Sequence, residues 1–253
     1  EVGRLAVTFN TMLARLETAF LAQQQFVADA SHELKTPLTA MLGHANVIRR
    51  HGQRRPDLVE EALSELIAQA ERMRRLIEQL LQLAQTNTPR EIDQEIVDLD
   101  EIAQEVIVAF APLLEDKAIH VTMTCQAEGA TCVLGEREAL KQVIINLIDN
   151  ALKFTSTGGQ VSIATHQESC NQQQEVILEV RDSGCGIAPL DLPYIFERWY
   201  RVDKARTRAT GGSGLGLSIV QAIIQRHGGK ITVSSEPEQG SVFWIRLPSV
   251  GEA

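Results

Sequence analysis

Two architectures in series are predicted by this chain. An all-helical first third folds as a long hairpin that pairs with a second copy into a four-helix bundle. An α/β sandwich follows, a mixed sheet with helices on one face. Three observations lead there. Apolar residues recur in alternating steps of four and three up to Ala84, with a single interruption. Beyond a polar, proline-containing stretch the pattern changes to short alternating segments separated by helices. No apolar run approaches the ~20 residues needed to cross a bilayer. With 253 residues, two domains can each bury a core of their own.

Composition narrows the function classes. Hydrophobic residues make up 44% and charged residues 23% of the chain, the balance of a soluble globular protein. The net charge of -9 argues against a nucleic-acid or anionic-lipid surface, which would need clustered Lys and Arg. Cys125, Cys132, Cys170 and Cys185 show neither C-x-x-C spacing nor nearby histidines, so they read as reduced cytosolic thiols rather than a zinc site. The chain opens in mid-pattern at EVGRL, without methionine, and reads as a piece of a longer protein.

In the first helix Leu5, Phe9, Met12, Leu16, Ala19, Gln23, Phe26 and Ala30 mark a coiled-coil seam, and the polar Gln23 suits a register-setting position. The seam continues through Leu34, Leu38, Met41, Ala45 and Ile48 until HGQRRPD, residues 51–57, makes a helix-helix connection. A second helix repeats the alternation at Val59, Leu63, Leu66, Ala70, Met73, Ile77, Leu80 and Ala84. One hairpin cannot cover its own apolar stripe, whereas two copies can, so a homodimer is expected from burial alone. TNTPREIDQE, residues 86–95, reads as a linker. Helices are then expected over EIAQEVIVAFAPLLEDK, EREALKQVIINLIDNALKF and LGLSIVQAIIQRHG. Strands are expected at IHVTMTC, VSIATH, EVILEVRD, KITVSSE and SVFWIRLP.

Chemistry-bearing residues lie at four places. In FVADASHELKTPLTAMLGH, residues 26–44, His32 sets a nitrogen nucleophile beside the carboxylate of Glu33. Thr36 shares its helical face at i+4, and Pro37 removes the bond its N–H would give the Glu33 carbonyl, which predicts a local bend. Asn146, Asn150 and Lys153 form a polar stripe on one helix; amide oxygens suit a hard cation such as Mg²⁺, and a solvated polar face is the plain alternative. DSGCGI, residues 182–187, puts Asp182 at a strand end beside two glycines that allow a tight turn; the carboxylate can accept from an exocyclic amine, although many surface turns look alike. GGSGLGLSIV, residues 211–220, sets Gly211, Gly212, Gly214 and Gly216 before a helix, an outline of a phosphate cradle that is neither a P-loop nor a Rossmann turn. The preceding segment holds Arg198, Arg201, Lys204, Arg206 and Arg208 and reads as a basic lid over polyphosphate, with Trp199 and Tyr200 as core anchors.

Taken together these residues resemble the bacterial sensor histidine kinases of two-component systems. SHELKTPL is similar to the phosphoacceptor box, NLIDNALKF to the asparagine box, DSGCGI to the first glycine box, IFERWYR to the phenylalanine box and GGSGLGLSIV to the second glycine box, in family order. EVGRLAVTFNTMLARLE further resembles the end of a HAMP module, which places this piece on the cytoplasmic side of a bacterial membrane sensor, without membrane contact of its own. The resemblance implies four parts: a signalling coiled coil at residues 1–22, a phosphotransfer hairpin at 23–87, a linker at 88–97 and a Bergerat-type ATP-binding domain at 98–250.

By the same resemblance Asp182 would receive the adenine amine, Asn150 with Asn146 would hold Mg²⁺, and Lys153 with Arg198 or Arg201 would meet the phosphates of ATP. Gly184, Gly186, Gly212, Gly214, Leu215 and Gly216 would shape the pocket and lid. His32 would accept the γ-phosphoryl group with Glu33 as proton acceptor, and pass it to an aspartate in the receiver domain of a response regulator; Thr36 would position water for regulator dephosphorylation. Trp199 stands where the family has Phe, and Cys185 fills a variable position. Two other classes remain: a conformational ATPase of the same fold without phosphohistidine, and a silent dimeric adaptor. The first leaves His32 and Glu33 without a use, and the second would have lost an acceptor or metal-site residue.

Overall fold

The computed structural model describes residues 2–52, 55–86, 94–125, 131–170, 173–202 and 212–250. They fall into two compact units, divided between Leu80 and Leu81.

The first unit is the hairpin. Helix α1 runs unbroken from Val2 to His51 and α2 from Pro56 to Thr86. Proline suits the first position of α2, where its missing N–H would have no intrahelical partner. Pro37 is buried within α1. Its ring leaves the Glu33 carbonyl without an i+4 donor, and one residue earlier the Thr36 hydroxyl donates to the His32 carbonyl at 3.3 Å. The helix continues through the proline.

The buried residues Ala62 and Leu76 of α2 lie outside the expected seam, whereas the seam residues Leu63 (48%) and Ile77 (43%), with Ile67 (55%) beside them, stand exposed. Along α1 the seam residues Phe9, Met12 and Leu16 are likewise exposed. Met41 of α1 with Ala70, Met73 and Ile77 of α2 lines an open, mainly apolar groove of about 430 Å³. Among the described residues no helix is long and apolar enough to cross a membrane.

The second unit is a two-layer α/β sandwich, as the strand and helix pattern predicts. Its main sheet has the order β2-β4-β5-β7-β6, from strands His120–Thr124, Gln160–Cys170, Gln173–Asp182, Gly240–Pro248 and Lys230–Glu236. Only β2 and β4 pair in parallel; the other neighbours are antiparallel. Helices α3 (Leu99–Asp116), α4 (Arg137–Phe154) and α5 (Gly216–Arg226) pack against β4, β5 and β6 respectively. A small antiparallel ribbon, β1 (Glu95–Asp98) with β3 (Cys132–Gly135), has no counterpart among the expected strands. Four residues each are too few to show an alternation. β1 begins at the end of the stretch read as linker, and residues 87–93 of that stretch lie outside the described residues.

Strand register places the core. The pairings align Ile163, Val180, Phe243 and Val233 in one cross-strand row, with Thr165, Leu178, Ile245 and Ile231 in the next. The apolar side chains of these rows, Val233 excepted, are buried, each worth about 1.5–3 kcal/mol of transfer free energy. Thr165 interrupts the second row because Asp100, in the first turn of α3, is buried above it and accepts its hydroxyl in a close contact. The Thr131 hydroxyl lies 3.1 Å from the other Asp100 oxygen and 2.9 Å from Asp98, the N-cap residue of α3. These bonds tie the start of α3 to the sheet and to the β1-β3 ribbon. Asp100→Ala removes an acceptor from two buried hydroxyls, and urea unfolding of this unit is expected to show a loss of about 2–3 kcal/mol. Thr165→Val, which takes away one bond, should lose less.

Candidate functional site

Asp182 ends β5 on the helix-covered face of the sheet. The register puts Val161, Asp182, Ser241 and Ser235 in one cross-strand row, so a carboxylate and two hydroxyls continue the apolar rows described above. Asp182 is 8% exposed and its Oδ1 accepts the Gly184 N–H at 2.8 Å. Burial pushes its carboxyl above the ordinary aspartate range, while hydrogen bonds from the Gly184 N–H and from the Ser241 N–H and hydroxyl pull the other way. Ser235 lies 3.0 Å from Ser241, donates to the Gly240 carbonyl at 2.7 Å and accepts the Ile187 N–H at 2.8 Å. This hydroxyl pair fastens the glycine turn to the β6-β7 hairpin.

Two glycines in the turn are required by what faces them. A side chain on Gly186, whose φ is +68°, would run into the Glu236 carbonyl; one on Gly184 would meet the Phe154 carbonyl at 2.6 Å. Cys185 is half-buried, and its N–H donates to the Phe154 carbonyl at 3.3 Å, joining the turn to the end of α4.

Asn146 is 7% exposed on α4, which rules out a solvated polar face at this position. Its Nδ2 finds no acceptor among the described residues. Its Oδ1 lies 3.6 Å from where a side chain of Gly216 would begin, so the amide faces the N-terminus of α5. A buried, unmatched donor beside a helix N-terminus is suited to a phosphate oxygen. Asn150, one turn on, is half-buried. Lys153 is half-buried too, and its Nζ makes a close ion pair with Asp149.

Of the basic segment, Lys204, Arg206, Arg208 and Gly211 lie outside the described residues. Its two flanks meet. The Trp199 N–H donates to the Gly214 carbonyl at 2.9 Å, and Arg201 Nη2 donates to the Ser213 carbonyl at 2.9 Å. Gly214 has φ +78°, and a side chain there would meet the backbone of Trp199 and Tyr200 at 2.9 Å. Arg198 is exposed, Gly212 half-buried and Leu215 fully buried. Trp199 and Tyr200, expected as core anchors, are only half-buried. They close the base of the loop instead: Trp199 holds φ +67°, and the Tyr200 hydroxyl donates to Asp191 at 2.6 Å, which pushes its pKa up to about 12.

In the first unit His32 and Thr36 are exposed on α1 and Glu33 is half-buried. The fold thus brings Asp182, Gly184 and Gly186 together at one end of β5, and Asn146 together with Gly216 between α4 and α5. Among the described residues no cluster of His, Cys, Asp and Glu suits a metal ion. Any bound cation would take the rest of its shell from phosphate and water, as Mg²⁺ does with nucleotides. Sequence reading missed Ser235 and Ser241. In SVFWIRLP, Ser241 shares the parity of Phe243, Ile245 and Leu247, so a polar residue on the buried face was available as a signal.

Comparison with known proteins agrees with this geometry. Residues 22–89 match the His Kinase A phospho-acceptor domain, and residues 135–251 match the histidine kinase-, DNA gyrase B- and HSP90-like ATPase family. Sensor histidine kinase YkoH of Bacillus subtilis is 36% identical over 98% of this chain and 52% of its own length. The chain spans about half the length of the curated relatives it matches. Among solved structures, histidine kinase AdeS of Acinetobacter baumannii aligns with a TM-score of 0.68 and 29% identity, over 87% of this chain and 98% of that one. A nucleotide-free catalytic domain of histidine kinase ThkA aligns with a TM-score of 0.53 and 30% identity, over 62% of this chain and 99% of that one. With a phospho-acceptor hairpin and a gyrase-like ATPase sandwich on one polypeptide, the chain belongs to the sensor histidine kinases of two-component systems.

Proposed function

We propose that this chain is the catalytic part of a membrane-anchored sensor that phosphorylates itself on His32 at the expense of ATP and passes the phosphoryl group to an aspartate of a response regulator. The observation that favours this over a conformational ATPase is His32 itself. It is an exposed imidazole on an unbroken helix, for which an ATPase has no use.

Asp182 accepts from the exocyclic amine of adenine. Asn146 donates its unmatched amide to a phosphate oxygen or, with the amide turned over, joins Asn150 at Mg²⁺; Lys153, once released from Asp149, and Arg198 or Arg201 meet the outer phosphates. Gly184 and Gly186 shape the adenine end, and Gly212, Gly214, Leu215 and Gly216 the phosphate end. Bound MgATP supplies the transferable group and the metal charge that stabilises its departure. A ring nitrogen of His32 attacks that group, and Glu33 orients the ring and takes its proton. Thr36, on the same face, holds water for hydrolysis of the regulator's phosphoaspartate. The exposed Leu63, Ile67 and Ile77 and the groove beside Met41 are covered by a second copy, giving a homodimer with a four-helix core.

Incubation with γ-labelled ATP and Mg²⁺ is expected to give acid-labile, base-stable label on the parent and none on His32→Gln. Glu33→Gln should slow labelling by about 10²–10⁴-fold. ATP turnover without any phosphoprotein would instead favour the conformational ATPase.

Asp182→Asn should weaken ADP binding by about 10–100-fold through loss of a charged acceptor, while the amide keeps the Gly184 bond and the fold. Acidification has two opposite effects. Because the carboxyl titrates above its ordinary value, its ionised form is a cost to folding at neutral pH. That cost is relieved as pH falls through the raised value. Adenine recognition needs the ionised form, so ADP affinity should begin to fall at a higher pH than an ordinary aspartate would give, and calorimetry across pH 4–7, a range set by roughly the usual carboxylate value and neutrality, reads this directly.

Ile67→Glu combined with Ile77→Glu should convert the dimer to monomer in analytical ultracentrifugation, with the sandwich domain still binding ADP.

A further inference from the structure

α4 and α5 are fastened at the end away from Asn146 by one buried side chain. His227, 7% exposed, is the C-cap residue of α5. Its Nδ1–H donates to the Ile223 carbonyl at 2.8 Å, one of the last carbonyls of that helix, and its Nε2 accepts the Glu136 N–H at 3.1 Å. A single ring tautomer satisfies both partners. Glu136 is the N-cap residue of α4, and its side chain makes no cap bond of its own. Its carboxylate turns toward Arg226, with Nη1 3.8 Å away. The ring also has no room on the strand side: a side chain on Gly135 would begin 2.6 Å from the imidazole Cδ2 and 2.9 Å from Nε2.

We propose that His227 is a positioning residue for the phosphate end of the nucleotide site, acting by fixing the register of α4 against α5. The two helices run in opposite directions. Residue 136 meets residue 227 at one end, and Asn146 faces Gly216 at the other. The ring therefore sits about 15 Å, ten residues of helix, from the seat it controls. Sliding either helix along the other moves the Asn146 amide relative to the N-terminus of α5, where a phosphate needs both. Asp182 stands on β5, held by Gly184 and Ser241, and its turn is joined to the end of α4 at Phe154, so a slip of α5 along α4 leaves it in place. His227 thus governs phosphate binding and leaves adenine binding alone.

This rests on the ATP reading above, and the test separates the two. Affinities for MgATP by calorimetry and for adenosine by NMR titration are measured on the whole chain for the parent, His227→Phe and His227→Gln. The phenylalanine keeps the ring volume and loses both hydrogen bonds. It is expected to weaken MgATP about tenfold while adenosine changes less than about twofold, and His227→Gln, which retains an acceptor for the Glu136 N–H, should recover much of the difference. If His227→Phe does not fold, Gly135→Ala displaces the ring with its polar atoms intact and should show the same selective loss. A lowered Tm with the ratio of the two affinities unchanged would make His227 merely structural and overturn the inference. A parent that binds neither ligand would overturn the ATP reading instead.

Discussion

The second unit is arranged around a carboxylate placed where apolar side chains belong. Asp182 continues the inward-facing positions Val180, Leu178 and Val176 of β5, and burying it raises its pKa because the charged form is poorly solvated there. The neighbouring structure answers that cost. Ser241 and Ser235 extend the polar row across β7 and β6, and the chain turns at once so that the Gly184 N–H points back at Oδ1. A turn that tight brings backbone against backbone. A side chain on Gly240, with φ +82°, would strike the Asp182 carbonyl, just as one on Gly186 would strike Glu236. The glycines and serines around Asp182 therefore follow from one requirement: an acceptor held deep enough to exclude water and still ionisable.

The first unit obeys a different constraint. A helix of 50 residues gains little from its own backbone and depends on lateral packing. α2 buries only one of its two apolar faces, that of Ala62 and Leu76. The other face is a cost in water unless a second copy closes over it, about 25 cal/mol for each Å² of apolar surface left open. In the proposed dimer, closure of that face and presentation of His32 would be linked, since His32 stands on the same continuous helix as the exposed seam residues Phe9, Met12 and Leu16.

Most of this was legible in the sequence, for reasons that differ by element. The hairpin was read from its period and from the Gly and Pro of its connection, and five strands of the main sheet from alternation and β-branching. Their pairing was not, because register depends on partners far along the chain: nothing in DSGCGI announces that Ser241 lies beside Asp182. The β1-β3 ribbon was too short to show a pattern, and the burial of Ala62 and Leu76, outside the expected α2 seam, appears only once α1 is in place. Trp199 and Tyr200 were misjudged for a related reason. Large aromatic side chains usually anchor cores, but these two are fixed by backbone geometry at the meeting of two distant flanks.

That meeting point sets the two ends of the site apart. A bulky residue at φ +67° costs on the order of 1–3 kcal/mol and persists only where its surroundings over-determine it. Here they do: the Trp199 N–H is bonded to Gly214, Arg201 to Ser213 and Tyr200 to Asp191. The Asp182 end is held differently, by neighbouring strands joined through the Ser235 and Ser241 hydroxyls. Left-handed residues therefore border the site at both ends: Trp199 beside the N-terminus of α5, and Glu238 with φ +63° in the β6-β7 turn, its N–H donating to the Cys185 carbonyl at 2.8 Å. Under the proposed reading the two ends are fixed by different partners, the base end by Ser235 and Ser241 and the phosphate end by Gly214 and Ser213, so the outer end would rearrange while the nucleoside stays in place, as transfer of a phosphoryl group to His32 would require.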